Sequence, residues 1–280
     1  MCVFVGTAPT PRSDGHRGPL SSRASAGLDL RPLTARSVIL SILLGSHPPF
    51  LAVSSLVRTT ELFGISEGTT RVALSRLTAD GDVVAEDGAY RLSSRLVNRQ
   101  QRQDQGVHPQ TKPWRGGWEL AIAKPAVRGA VDRAALGADM LAMRLAELRP
   151  GVWTRPNNLL RGWPEAVSQR VWKSEARAGF DGESPAPMAG RLWHLPTWAS
   201  RAEALIEALD ESSNPAQRFV VAASMVRHFR DDPVLPTALL PRGWPGARLR
   251  RAYDCYEVEL GKLMRRERSR PGPAPRGRRG

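Results

Sequence analysis

GISEGTTRVALSRLTADGDVVAEDGAYRL, residues 64–92, is the stretch whose reading decides the fold. It reads as one helix, a sharp stop and a tight hairpin. Ser66 suits a helix N-cap, because its hydroxyl can accept from an unpaired amide of the first turn, and Glu67 suits the positive end of the helix dipole. The helix is expected to run to about Asp80. Thr70, Ala73, Leu74 and Leu77 fall on one face at spacings of three and four, leaving Gly68, Thr69, Arg71, Val72, Ser75 and Arg76 on the other. That second face carries no acid. Gly81 is the expected stop, and Val83-Val84 and Tyr90-Arg91-Leu92 flank Asp87-Gly88, a dipeptide that takes the positive backbone angles of a two-residue hairpin turn.

Two helices are expected upstream. Ala35 to Leu44 places Val38, Ile39, Ile42 and Leu43 at helical spacing and ends at Gly45 before His47-Pro48-Pro49. Val53, Leu56, Val57 and Leu62-Phe63 form the second, which closes at Gly64. Three helices and a wing in this order make a winged helix-turn-helix. Such modules also dock proteins, but a helix that enters the major groove needs small residues for close approach and arginines that pair with guanine or clamp phosphate. The candidate DNA-binding residues are Ser66, Thr69, Arg71, Val72, Ser75 and Arg76 on the helix, with Arg71 and Arg76 as the main readers. Arg91 and Arg95, from the wing and its exit, are expected to clamp phosphates. The wing tip, Glu86-Asp87-Gly88, is acidic, which weighs against phosphate contact there.

The formal net charge of +14 resembles a nucleic-acid signature, but half of the excess falls in residues 262–280. Arg outnumbers Lys 37 to 4, a bias that a GC-rich genome produces without functional demand. Charge therefore agrees with the helix pattern without carrying the argument. Cys2 and Cys255 stand alone, so neither a disulfide framework nor a zinc site is expected. No run of about 18 apolar residues and no signal-peptide pattern occurs, which points to a soluble, cytoplasmic protein.

At 280 residues the chain can hold two or three domains. Residues 1–30 are rich in Gly, Ser, Pro and Arg and are expected to be a disordered extension. The winged helix is assigned to 31–95, and a linker helix with a hinge at His108 to Pro113 to 96–113. Residues 114–195 begin with a strand, Gly117 to Lys124, that carries Trp118, Leu120 and Ile122 on one face. A helix from about Arg128 to Leu148, a strand at Gly151 to Thr154 and a repeat ending near Arg191-Leu192-Trp193 suggest a small ferredoxin-like α+β domain. Residues 181–190, DGESPAPMAG, are expected to be a loop. The segment 196–266 reads as a helical C-terminal domain: Ala202 to Leu209, Pro215 to Phe229 and about Pro245 to Arg266. Between the last two helices, four prolines after Asp232 enforce an extended connection. Residues 267–280 are a basic tail expected to be disordered. The fold class is α+β.

The chain resembles the PaaX family, the phenylacetic acid degradation repressors, over about residues 32–266. Three motifs carry the resemblance: LTARSVILSILLG with LFGISEGTTRVALSRLTADGDVV, then PGVWTRPNNL, then DDPVLPTALLPRGWPG after a helix ending in Arg227-His228-Phe229-Arg230. The third is the most specific of the three. The resemblance implies a homodimeric transcription repressor with a winged helix, a ferredoxin-like middle domain and a helical C-terminal domain. It also implies a palindromic double-stranded DNA operator and release by an aryl-CoA thioester such as phenylacetyl-CoA. Gly64, Arg71, Ser75, Arg76, Leu77 and Gly81 match the family in the first motif. Asp232, Pro233, Leu235, Pro236, Leu239, Leu240, Pro241, Trp244 and Pro245 match it in the last, and they read as structural.

Enzymatic rivals fare poorly. Ferredoxin-like nucleases need a carboxylate at the end of the first strand to hold a metal ion, but here the strand ends Ala121-Ile122-Ala123-Lys124. His16, His47, His108, His194 and His228 form no ligand pattern, and no GxSxG, HExxH or phosphate-loop motif occurs. Neither catalysis, a metal nor a cofactor is therefore expected. An architectural protein that binds DNA through the basic tail is the other alternative. All eight tryptophans lie outside the winged helix. Core packing explains them most simply, while Arg149, Arg155, Arg161 and Arg170 are the cations available near them for an effector's phosphates. No effector-binding residue is assigned.

Overall fold

The computed structural model describes residue 30, residues 33–177 and residues 182–269. Nearly all of the expected N-terminal extension, and the tail beyond residue 269, lie outside the described residues. The chain is mixed α and β, with two antiparallel sheets and a helical C-terminal region. It divides into two compact units, each built from separated stretches of sequence.

The first unit takes the described residues up to Gln100, then Ile206–Ala223, then the chain from Arg250. Its elements begin with α1 (Ala35–Leu44), β1 (Phe50–Ala52), α2 (Val53–Glu61), α3 (Glu67–Ala79), β2 (Val83–Glu86) and β3 (Ala89–Leu92). Helix α1 starts in a capping box. The Ser37 amide donates to Thr34 Oγ1 at 3.1 Å and the Thr34 amide to Ser37 Oγ at 3.0 Å, so two orphan donors are satisfied at once. The other end of α1 is satisfied from far along the chain. The buried Gln100 side chain, on α4 (Ser94–Val107), donates to the carbonyls of Leu44 at 2.7 Å and Ser46 at 2.9 Å.

The three strands are antiparallel in the order β1-β3-β2. Strand β1 was not expected. Three residues between prolines and a helix hold no periodic signal, and only pairing of Phe50 with Arg91 and Leu51 with Tyr90 makes them a strand. Val38, Ile39, Leu43, Leu56, Leu74, Leu77, Val83 and Leu92 form the core. Each fully buried aliphatic side chain there contributes about 1.5–3 kcal/mol of transfer free energy. Phe219, from α9 (Pro215–Arg230), joins this core with its ring 4.7 Å from that of Phe63, and Leu260 and Met264 of α10 (Gly246–Ser269) pack against it.

The second unit takes Gln101–Leu205 and Ser224–Leu249. It contains β4 (Gly117–Ala123), α5 (Gly129–Ala142), β5 (Ala146–Arg149), β6 (Val152–Pro156), α6 (Glu165–Ser168), β7 (Val171–Arg177), α7 (Pro185–Trp193) and the start of α8 (Leu195–Glu211). The four strands are antiparallel in the order β5-β6-β4-β7. Alternation along β4 splits its residues between two cores. Ala121 packs with Leu136, Met140, Trp153 and Val171, whereas Trp118 packs with Met188, Leu195, Leu235 and Leu239.

Three expectations for this region are corrected. The helix expected to reach Leu148 stops at Ala142: Arg144 takes a left-handed φ of 64°, and Ala146–Arg149 becomes a strand paired with β6. Leu141, Leu145 and Leu148 keep helical spacing through that break, so periodicity alone could not reveal it. The repeat expected to end near Arg191-Leu192-Trp193 ends earlier, in β7, and those three residues close α7. DGESPAPMAG is accordingly more than a loop, because Pro185 opens α7 and Met188 and Ala189 are buried. The stretch read as a hinge is also anchored: Thr111 bridges Leu159, and the Lys112 amide donates to the Asn158 carbonyl at 2.8 Å. No helix among the described residues is long and apolar enough to cross a membrane.

Candidate nucleic-acid interface

Helix α3 is built to present one face. Ser66 caps it, with the Thr69 amide donating to Ser66 Oγ at 3.3 Å and the two hydroxyls 2.9 Å apart. Thr70, Leu74 and Leu77 are buried beneath it, and Gly81 ends it with a φ of 67°. The hydroxyls of Thr60 and Thr70 meet at 2.7 Å in the buried seam between α2 and α3. A hydrogen bond between two buried hydroxyls fixes the rotation of α3 about its axis more sharply than apolar contact alone. On the opposite face Thr69, Arg71, Val72, Ser75 and Arg76 are exposed, Val72 retaining 52% of its surface.

The hairpin after α3 turns through Asp87 (φ 45°) and Gly88 (φ 74°), the pair of positive angles expected of a two-residue turn. Its solvent face carries a row that the sequence did not suggest. Arg91 on the central strand lies in register with Phe50 on one side and Val84 on the other, and all three are exposed. Phe50 was missed because β1 was missed.

The arginines divide by their partners. Arg71 pairs with Glu67 one turn earlier, at 2.7 Å, and Arg91 pairs with Glu86 at 3.0 Å. Arg95 does not reach outward alone: it bonds the buried carboxylate of Asp82, which Arg36 also bonds, while a second Arg36 nitrogen lies 2.5 Å from Asp80. Asp82 thereby ties α1 and α4 to the segment that leaves α3. Arg76 alone among the four candidate arginines has no acidic partner among the described residues.

The second unit answers the question of effector cations differently for each candidate. Arg155 is fully buried and is not available to any ligand phosphate, which corrects the expectation that it serves an effector. Its guanidinium donates to the carbonyls of Pro156 (3.1 Å), Arg144 (3.3 Å) and Val234 (3.4 Å) and to Asn158 Oδ1 (2.9 Å). Asn158 Nδ2 donates to the same Val234 carbonyl at 2.9 Å, and the Val234 amide donates to Asp232 Oδ1 at 2.8 Å. Two motifs nearly 80 residues apart, PGVWTRPNNL and DDPVLP, thus clamp each other around Val234, which holds a φ of 50°. Burial, reinforced by neighbouring Arg161, pulls the Arg155 pKa down to about 9 against the pull of Glu119, and it remains a cation at neutral pH. Arg161 pairs with Glu119 at 2.7 Å and Arg170 with Asp139 at 2.9 Å, whereas Arg149 is exposed.

The tryptophans of this unit serve mainly as packing. Trp118, Trp153 and Trp198 are buried, Trp193 stacks on Trp118, and Trp198 stacks with both Trp244 (4.7 Å) and His228 (4.4 Å). Trp172 is the exception, 53% exposed.

Residues 34–96 match the PaaX-like protein family, and residues 194–266 match the PaaX-like protein C-terminal domain. Among solved structures, the chain is similar to the uncharacterized protein Rv0674 from Mycobacterium tuberculosis. The two are 44% identical, with a TM-score of 0.74, over 84% of this chain and 99% of the other. A search of curated proteins found no match.

Proposed function

The chain belongs to the PaaX-like family, and from that premise we propose that it is a sequence-specific, DNA-binding transcriptional regulator, a repressor of an aromatic, phenylacetate-type catabolic operon. The order α1-β1-α2-α3-β2-β3 supports reading residues 31–95 as a winged helix-turn-helix with α3 as the recognition helix. The strand order β7-β4-β6-β5, with all neighbours antiparallel, supports a ferredoxin-like reading of the middle segment.

One observation carries the reading: the exposed face of a capped, well-buried helix offers Arg71, Val72, Ser75 and Arg76 together. Arginine forks suit guanine edges, and an exposed valine suits a thymine methyl group. In the proposed mechanism, a homodimer sets two copies of α3 in successive major grooves of a palindrome, roughly one helical turn apart, and blocks transcription. An aryl-CoA thioester such as phenylacetyl-CoA then favours a dimer geometry in which the two helices no longer match the half-sites. The shift is limited by the ligand's preference for one state over the other.

The test is a gel-shift on the protein's own upstream region, with nonspecific competitor, in the presence and absence of phenylacetyl-CoA. Specific binding relieved by the thioester supports regulator and effector together. Specific binding without relief retains the regulator and discards the inducer. Failure to outcompete nonspecific DNA there, and on operators selected from random duplexes, counts against the sequence-specific reading.

A further inference from the structure

In the second unit a cleft of about 460 Å³ opens where the chain enters β4 and leaves β7. Gly117 and Arg177 are register partners there, and Lys112 and Arg115 on the incoming segment line the same cleft as Arg177 at the end of β7. Three cations line it. None of Lys112, Arg115 and Arg177 has an acidic partner among the described residues, in a chain where most of the arginines considered above are paired. Among the described residues Glu175 is the one acid in the wall, and it already accepts from Asn157 Nδ2 at 2.8 Å.

The frame around these cations is fixed before any ligand arrives. The Lys112 amide is bonded to the Asn158 carbonyl at 2.8 Å, the Asn157 amide to the Gly117 carbonyl at 2.9 Å, and Trp114 Nε1 donates to that same carbonyl at 2.6 Å. Unpaired like charges in a concavity focus a field that attracts anions. The volume falls in the range of clefts that hold small ligands. Arginine forks match phosphate oxygens in a bidentate way, and three cations neutralise a diphosphate better than a single carboxylate. A duplex backbone, being convex and spreading its charge along its length, fits such a concavity less well.

We propose that this cleft binds a phosphorylated small molecule, such as a nucleoside diphosphate, through Lys112, Arg115 and Arg177. The site stands independently of the DNA-binding reading.

Calorimetric titration of the full chain with ADP, inorganic pyrophosphate and adenosine, in magnesium-free buffer at low salt, tests it. ADP and pyrophosphate should bind and adenosine should not, with affinity falling as salt rises. Arg115→Ala combined with Arg177→Ala should lower the affinity at least about tenfold for each arginine removed. Arg133→Ala, an exposed arginine on α5, should leave it unchanged; matched melting curves establish that every variant is folded. Absence of anion binding in the parent chain overturns the proposal, as does equal weakening by Arg133→Ala, which would mean diffuse attraction to a basic protein. Loss of duplex affinity with anion affinity retained in the double variant also overturns it, because the cations would then serve the DNA backbone.

Discussion

Arg71, on the exposed face of α3, is held by Glu67 one turn back, with its Nε 2.8 Å and its Nη2 2.7 Å from the same carboxylate oxygen. An exposed pair of this kind is worth only about 0.3–0.5 kcal/mol, so DNA can take the guanidinium away, but it must do so against that carboxylate. Arg76 carries no such tether. Arg76→Ala is therefore expected to cost about 1–3 kcal/mol of specific affinity, more than Arg71→Ala, whereas Glu67→Gln should tighten binding slightly. Fluorescence anisotropy on a selected operator ranks the three, and a larger loss for Arg71→Ala would refute the ordering.

Asp82 joins Arg36 and Arg95 where α3 gives way to the hairpin. Asp82→Ala leaves two arginines facing a buried vacancy and should destabilise the fold by about 1–3 kcal/mol, measured as a lower urea midpoint with an unchanged slope. Arg95→Ala should show the same sign with a smaller size. Its effect on DNA affinity should be uniform across sequences, since any phosphate contact it makes carries no base information.

Arg155 donates four hydrogen bonds, one of them to Val234 in the distant motif, where Asn158 also donates. Arg155→Ala should cost about 3–5 kcal/mol, because it removes a buried cation and leaves several carbonyls unpaired. Arg155→Lys keeps the charge but cannot reproduce a planar fork, so it should recover only part of the loss. If denaturant midpoints barely move, the clamp around Val234 is not a stability element.

His228 stacks on Trp198 and donates from Nε2 to the Trp198 carbonyl at 3.1 Å. Burial lowers its pKa from 6.5 to about 4, against the opposing effect of that hydrogen bond. The unfolded chain therefore takes up a proton that the folded chain refuses. The contribution is fully present above pH 6.5 and is lost as pH falls toward 4, with about 2 kcal/mol gone by pH 5. Urea unfolding of the parent chain and of His228→Gln at pH 8 and pH 5 should differ in their pH slopes by that amount, and parallel slopes would exclude the histidine as the cause.

Much of the first unit was legible because its signals are local. Ser66 caps a helix, Gly45 and Gly81 stop two of them, and Asp87-Gly88 turns the hairpin, each by the backbone preferences of a few neighbouring residues, whereas the Thr34 capping box went unread. The exposed face of α3 was readable for the same reason: a period of 3.6 residues sorts side chains before any tertiary contact forms. Outside such signals the reading failed in recognisable ways. Ala146–Arg149 continues an apolar spacing compatible with helix, and only its partner strand β6 draws it into the sheet. The three residues of β1 are too few to show any alternation.

Side-chain availability belonged largely to the tertiary structure, the pairing of Arg71 with Glu67 within one helix being the local exception. In the sequence nothing separates Arg71, Arg76, Arg95 and Arg155 by whether each is free to meet a ligand. Folding sets the first beside Glu67, commits the third to Asp82, buries the fourth among carbonyls from three segments, and leaves Arg76 without an acidic partner among the described residues. The amino-acid order determined which helices and turns form, because those depend on neighbours within about one turn. Which of the remaining charges stay free to meet a partner was decided by contacts such as that of Arg155 with Val234, 79 positions apart, and such contacts exist only once the chain has closed upon itself.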